Sequence, residues 1–298
     1  MKKVHLLIAV TALGMTGIAS CKQQAPKGQE TADSISIASN NNTVETPIPF
    51  TSDSVAALLS GEGYECSVKV DYPTSKGLLA DSVRQALLHV LNHTSPTGGL
   101  SPEQPQTAFK GKAGNGKAVA DFFAKAYADQ LKKSYDEILK LNEDREAPAP
   151  YSFDISLKKS CETGKYVTYN VFSYSYLGGA HGSSMQYALN IAKSTGKAVG
   201  TVIDNSMTKA MQKLLRHGVA EYFKAQGETI ADKDLDGHLF IDNGIIPLPA
   251  YNPELTPEGL RFVYQQYEIG PYAIGMVTFT VPYDKVKPFM TGEALELL

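Results

Sequence analysis

The run YVTYNVFSYSYL, residues 166–177, constrains this chain more than any other stretch. Large side chains fall on both alternations of the strand period. A strand of this kind cannot face water on either side, so it belongs inside a sheet covered on both faces. Its neighbours supply the covering. YSFDISLKK alternates Tyr151, Phe153, Ile155 and Leu157, and MQYALNIA follows as a further strand. Short turns such as ETGK and STGK join these strands, which makes them antiparallel neighbours. YECSVKVDYP is a strand closed by Pro73.

Three helices are predicted between the strands. LLADSVRQALLHVLN places Leu79, Val83, Leu87 and Val90 on one face. A longer amphipathic helix runs from about Lys117 to Asn142 and ends before Pro148 and Pro150. A third spans about Met207 to Ala225, with Met211, Leu215, Val219 and Phe223 on one side. GLRFVYQQYE and GMVTFTVPY are predicted as two closing strands, with a short helix from Asp284. Strands and helices do not alternate regularly. The predicted class is therefore α+β, an antiparallel β-sheet packed with a few amphipathic helices. With 43% hydrophobic and 20% charged residues, the composition is that of a globular chain with a full core.

The N-terminus reads as a processing signal. Lys2 and Lys3 precede the apolar run LLIAVTALGMTGIA, and small residues lead to Cys21 in IASC. That order is similar to a bacterial lipoprotein signal, with Cys21 as the lipidated first mature residue. Residues 1–20 are predicted as signal peptide and 21–49 as a flexible tether without periodicity. Residues 50–178 form an N-terminal α+β part. Residues 179–298 form a C-terminal part, expected to make one compact unit with it. The mature chain would sit in the cell envelope, held to the outer membrane facing the periplasm, since KQQ after Cys21 has no acidic run. Losing Lys2 and Lys3 takes the formal charge from −3 to −5, and no basic stripe is present, which argues against nucleic acid as a partner. Export also predicts that the remaining cysteines, Cys66 and Cys161, pair as a disulfide.

Candidate chemistry is sparse. SYSYLGGAHGSS sets His181 among glycines at a strand end. Glycines there supply positive φ, so the stretch is read as a turn that presents His181 to a ligand. An acid–base pair of His181 with Glu268 is the enzymatic alternative, an envelope hydrolase. YEIGPYAIG contributes Tyr267, Glu268 and Tyr272 beside a constrained bend, a candidate recognition surface. His89 and His93 lie four apart on a helix but lack an intervening glutamate base. DKDLDGHL places Asp232, Asp234 and Asp236 like the first half of a calcium loop, but Asn243 stands where the terminal glutamate belongs. It is read as an acidic surface loop, with no metal and no cofactor assigned. No catalytic motif is present, so the chain is expected not to be an enzyme.

YLGGAHGSS, QYALNIAKSTGKAV and LTPEGLRFVYQQYEIGPYAIGMVTFTVPYDKVKPFM occur in one order. In that order they resemble the RsiV/PdaC-type extracytoplasmic domain family, over about residues 60–290 and most specifically over 174–290. The resemblance implies an envelope domain from a family largely of unknown function. Its RsiV member is a lysozyme receptor, and its PdaC member carries deacetylase activity in a separate catalytic domain. Neither that catalytic domain nor the RsiV transmembrane segment is expected in this chain. The expected function is a lipid-anchored, non-catalytic binding or sensing module for a protein (lysozyme-like) or envelope glycan ligand, with an accessory or structural envelope role as the alternative.

Overall fold

The computed structural model describes residues 50–100, 105–141 and 147–298. The predicted signal peptide, the tether and Cys21 lie outside the described residues. The described residues form one compact unit.

β1 (Ser52–Gly61) and β2 (Tyr64–Pro73) form an antiparallel hairpin in which Gly61 faces Tyr64. Gly63 takes a left-handed φ of 79°, and a Cβ there would overlap the Tyr135 ring, so the turn requires glycine. α1 (Leu78–His93) follows, burying Val83, Leu87 and Leu91. β3 (Thr94–Ser95) and β4 (Gly99–Leu100) make a short pair before α2 (Gly116–Leu141). Along α2, Val119, Phe123, Tyr127, Leu131 and Tyr135 are buried at intervals of four, which puts them on one helical stripe.

β5 (Tyr151–Glu162), β6 (Tyr166–Tyr176) and β7 (Ser183–Ala192) complete a five-stranded sheet ordered β1-β2-β5-β6-β7. All neighbours are antiparallel except β2 and β5, which run parallel. The crossover through α1 and α2 between these two strands gives the chain room to return in the same direction. The predicted antiparallel α+β class therefore holds with this one parallel pair. β1 was not anticipated from the sequence, because SDSVAALLSG has no clean alternation.

Two cores lie on opposite faces of β6. Val167, Tyr169 and Val171 join the core beneath α1 and α2, with Cys66, Val68, Val70, Phe153, Ile155 and Leu157. Tyr166 points the other way, into a core shared with Cys161 and α3 (Gln212–Ala225). That core also holds a three-stranded antiparallel sheet of β8 (Glu254–Leu255), β9 (Leu260–Val263) and β10 (Thr278–Val281). α4 (Tyr283–Val286) and α5 (Gly292–Leu295) close the chain. The first of the two closing strands is shorter than its apolar run suggests, because the chain turns away at Gln265 and Gln266. Among the described residues, no helix is long and apolar enough to cross a membrane.

The predicted Cys66–Cys161 disulfide is corrected: both thiols are free and buried. Cys66 pairs in register with Phe153, so Cys161 stands eight residues further along β5. That is about 26 Å at ordinary strand rise, far beyond the reach of a disulfide. The two cysteines also serve different cores. Burial, with a smaller contribution from Asp154, pushes the Cys66 thiol up to about 12, so it behaves as a small core hydrophobe.

Candidate functional site

The glycine turn after β6 is shaped by backbone geometry. Gly178 and Gly179 take φ of 85° and 90°, a region that a side chain strains. A Cβ on buried Gly182 would overlap the Tyr174 ring. Between these fixed points His181 is exposed. Its Nδ1 lies 3.0 Å from the Gly182 carbonyl oxygen. A carbonyl only accepts, so Nδ1 carries the proton. Nε2 faces the Tyr267 hydroxyl at 3.3 Å.

The bend at residues 265–275 brings two tyrosines to this histidine. The Tyr272 ring stacks on His181 with centroids 3.7 Å apart and planes 19° from parallel. Tyr267 completes the cluster, 6.3 Å from His181 and 5.7 Å from Tyr272. Tyr267 has φ of 68° and is 56% exposed. A bulky residue in the left-handed region costs on the order of 1 kcal/mol and persists only where the surroundings impose it.

The surroundings that impose it are specific. The Gln265 side chain accepts from Gln186 N at 2.9 Å and donates to Gln186 O at 2.7 Å. Gln266 Oε1 accepts from Ser184 N at 2.9 Å. Two glutamine side chains thus occupy the β7 edge where a further strand would otherwise pair. On the other side of Tyr267, the Glu268 carboxylate accepts from Ala250 N and Gln265 N, both at 2.6 Å. Burial pushes the Glu268 carboxyl up, and these two amides pull it part of the way back. Tyr222 of α3 donates to Ile274 O at 2.5 Å and holds the far end of the bend.

The structure therefore brings His181, Tyr267 and Tyr272 together, whereas Glu268 is set apart as the clamp beneath them. Among the described residues no hydrogen bond joins His181 to Glu268, and both Glu268 oxygens are committed to backbone amides. The sequence reading missed Gln265 and Gln266; the doubled glutamine in YQQYE, interrupting an apolar strand, was their signal. It also missed Tyr251, which stacks on Tyr187 at 5.0 Å. Tyr251 and Ala250 line a cleft of about 170 Å³ with Leu248, Pro249 and Asn252.

The other candidates resolve differently. Asp232 and Asp236 are bridged by the Arg216 guanidinium at 2.7 and 2.8 Å, in a 3-10 turn over Asp232–His238. A cation already sits between these carboxylates, and Asp234 is left exposed. Among the described residues no group of three acidic, histidine or cysteine side chains could hold a metal ion. The His89 and His93 rings lie 4.0 Å apart, and His93 Nδ1 donates to His89 O at 2.7 Å. Burial, and then the neighbouring His93, hold His89 below the usual histidine range.

Residues 203–284 match the family described as "Protein of unknown function (DUF3298)". Residues 60–184 match the family described as "Deacetylase PdaC". The second match overturns the expectation that the chain is not an enzyme, because that family is named for an activity. No curated protein matches the chain. Among solved structures, a DUF3298 family member from Bacteroides fragilis is 19% identical with a TM-score of 0.57, covering 83% of this chain and 95% of its own. Another from Pseudomonas aeruginosa is 16% identical with a TM-score of 0.49, covering 84% and 97%. The first likeness is one of fold. With the glycine turn ending one matched region and the aromatic bend inside the other, the chain resembles the DUF3298/PdaC-type extracytoplasmic domain family.

Proposed function

We propose that this chain is an envelope lipoprotein, anchored through Cys21, whose folded unit binds a protein or glycan ligand through His181, Tyr267 and Tyr272. The observation that carries the reading is Tyr267: an exposed aromatic ring, held in a left-handed backbone by flanking clamps, over a histidine stacked on a second tyrosine. Strain of this kind clusters at functional sites, and exposed aromatic rings with polar tips suit both sugar faces and protein hot spots. The neighbouring cleft at Tyr251 extends the surface. An extracytoplasmic family resemblance and the signal-like N-terminus support an envelope ligand.

The test is calorimetric titration of the purified chain with lysozyme and, separately, with peptidoglycan fragments. Saturable binding to one of them is expected. Tyr267→Gly should weaken it at least about tenfold while leaving stability unchanged or raised by up to about 1 kcal/mol, since glycine tolerates the φ. Equal binding by the variant would remove the site from the account.

The family description matched over residues 60–184 favours a second reading, a part in deacetylation. Acetate release from acetylated glycan fragments, measured on the same protein, separates it from binding alone.

A further inference from the structure

The β1 edge of the sheet is as open as the β7 edge is closed. Among the described residues no strand pairs with its outer side. It is ten residues long, SDSVAALLSG, with no proline, no lysine and one acid, Asp53. Leu58 is 64% exposed and Leu59 38%. Such an edge offers a row of unpaired backbone groups about 33 Å long, and isolated proteins usually blunt one with charge, proline or a bulge.

We propose that β1 pairs antiparallel with β1 of a second copy of this chain, joining two five-stranded sheets into one of ten strands. The sequence of β1 favours this occupant because it is self-complementary about Ala57. Facing residues in an antiparallel ladder share a face of the sheet, so a two-fold axis must pass through a residue. With the axis at Ala57, Val55 faces Leu59 of the second copy, Ala56 faces its Leu58, and Ser54 faces its Ser60. Asp53 meets Gly61. Every apolar side chain finds an apolar one, and the exposed Leu58 and Leu59 are both covered. Moving the axis to Ala56 sets Asp53 against Leu59 and Ser54 against Leu58. Moving it to Leu58 sets Val55 against Gly61 and Ala56 against Ser60.

The helix above the edge fits the same axis. α2 packs on both β1 and β2. Two copies of α2 related by the axis would lie about 10 Å apart, twice the strand spacing, which is a normal helix packing distance. The exposed side of α2 carries both signs in the pairs Lys125–Asp129 and Lys132–Asp136, so the approach sets no single-sign field against itself.

The test is sedimentation of the full chain carrying Cys21→Ala, so that no lipid holds copies together. A concentration-dependent species of twice the 32.2 kDa chain mass is expected. Ala56→Lys combined with Leu58→Lys sets lysine opposite lysine twice and should raise the dissociation constant roughly tenfold or more. Ala56→Lys combined with Leu58→Glu sets lysine opposite glutamate in the same register and should restore it. A monomer at every concentration, including one whose own residues 22–49 cover the edge, would overturn the proposal. So would a dimer indifferent to the paired lysines, or one not recovered by the lysine–glutamate pair.

Discussion

β1 and β7 both end the same sheet, but the chain treats them in opposite ways. Along β7, backbone groups of Ser184 and Gln186 are taken up by Gln266 and Gln265, and on the face of the strand the Asn190 side chain holds β8. Along β1 the outer groups meet nothing among the described residues. The difference shows where the fold spends polar side chains. At β7 they fix the bend that carries Tyr267 and Tyr272, so sealing the edge also builds the surface around His181. At β1 none are spent, and the apolar Leu58 and Leu59 remain exposed. Changes at β7 should therefore cost stability and ligand binding. Changes at β1 should cost only association.

The largest effect is expected at Asn190, 3% exposed, which accepts from Leu255 N and the Thr168 hydroxyl and donates to Pro253 O. Asn190→Ala strands three buried groups and should lower unfolding free energy by about 3–5 kcal/mol in urea titration. A loss below about 1 kcal/mol would mean that the Asn190 side chain is not what holds β8 against the sheet. Gln265→Ala comes next, at about 1–3 kcal/mol, with faster hydrogen exchange at the Gln186 amide. If that amide stays protected, the glutamine does not seal the strand.

Glu162, at the end of β5, ties that strand to the end of β7: it binds Lys159 at 2.9 Å and Lys193, just beyond β7, at 2.6 Å. Burial pushes its carboxyl up, but the hydrogen bonds and charges of the two lysines outweigh this and hold it below the usual range. A carboxylate lowered in the folded state adds stability above its unfolded value, near pH 4.3, and that stability fades as pH falls through the folded value. Glu162→Gln should cost about 1 kcal/mol at neutral pH and flatten the acid limb of a stability–pH curve. An unchanged limb would mean the lysines do not favour its ionised form. The smallest effect is expected at β1: Leu58→Lys should change unfolding free energy by less than about 0.5 kcal/mol. A larger loss would show that this edge is packed within the monomer, and the contrast between the edges would fail.

The sequence made β6 legible, because a run bulky on both alternations can only sit between two cores, and Val167 and Tyr166 do point into different ones. The α2 stripe was readable in part: Val119, Phe123 and Tyr127 were expected on it, but Leu131 and Tyr135 were not. The parallel pairing of β2 with β5 was not, since a long crossover leaves the strand direction open. The disulfide expectation failed for that reason: compartment chemistry suggested a pairing that strand register forbids. At the site, the glycines around His181 marked a turn, and the bend at Tyr267 and Tyr272 was visible as rigid and aromatic. That Glu268 is a backbone clamp and not a partner of His181 depends on amides of Ala250 and Gln265, which only the folded chain brings together. The acids of DKDLDGHL were read as a surface loop, but their pairing with Arg216, sixteen residues before Asp232, depends on the folded chain.

Hydrogen exchange followed by mass spectrometry, on the full chain with and without the ligand that titrates, decides whether the His181 cluster is the binding surface. Ligand-dependent protection is expected in residues 178–184 and 265–275, with β1 unchanged at fixed protein concentration. Protection confined to β1, or to segments away from the His181 cluster, would contradict it.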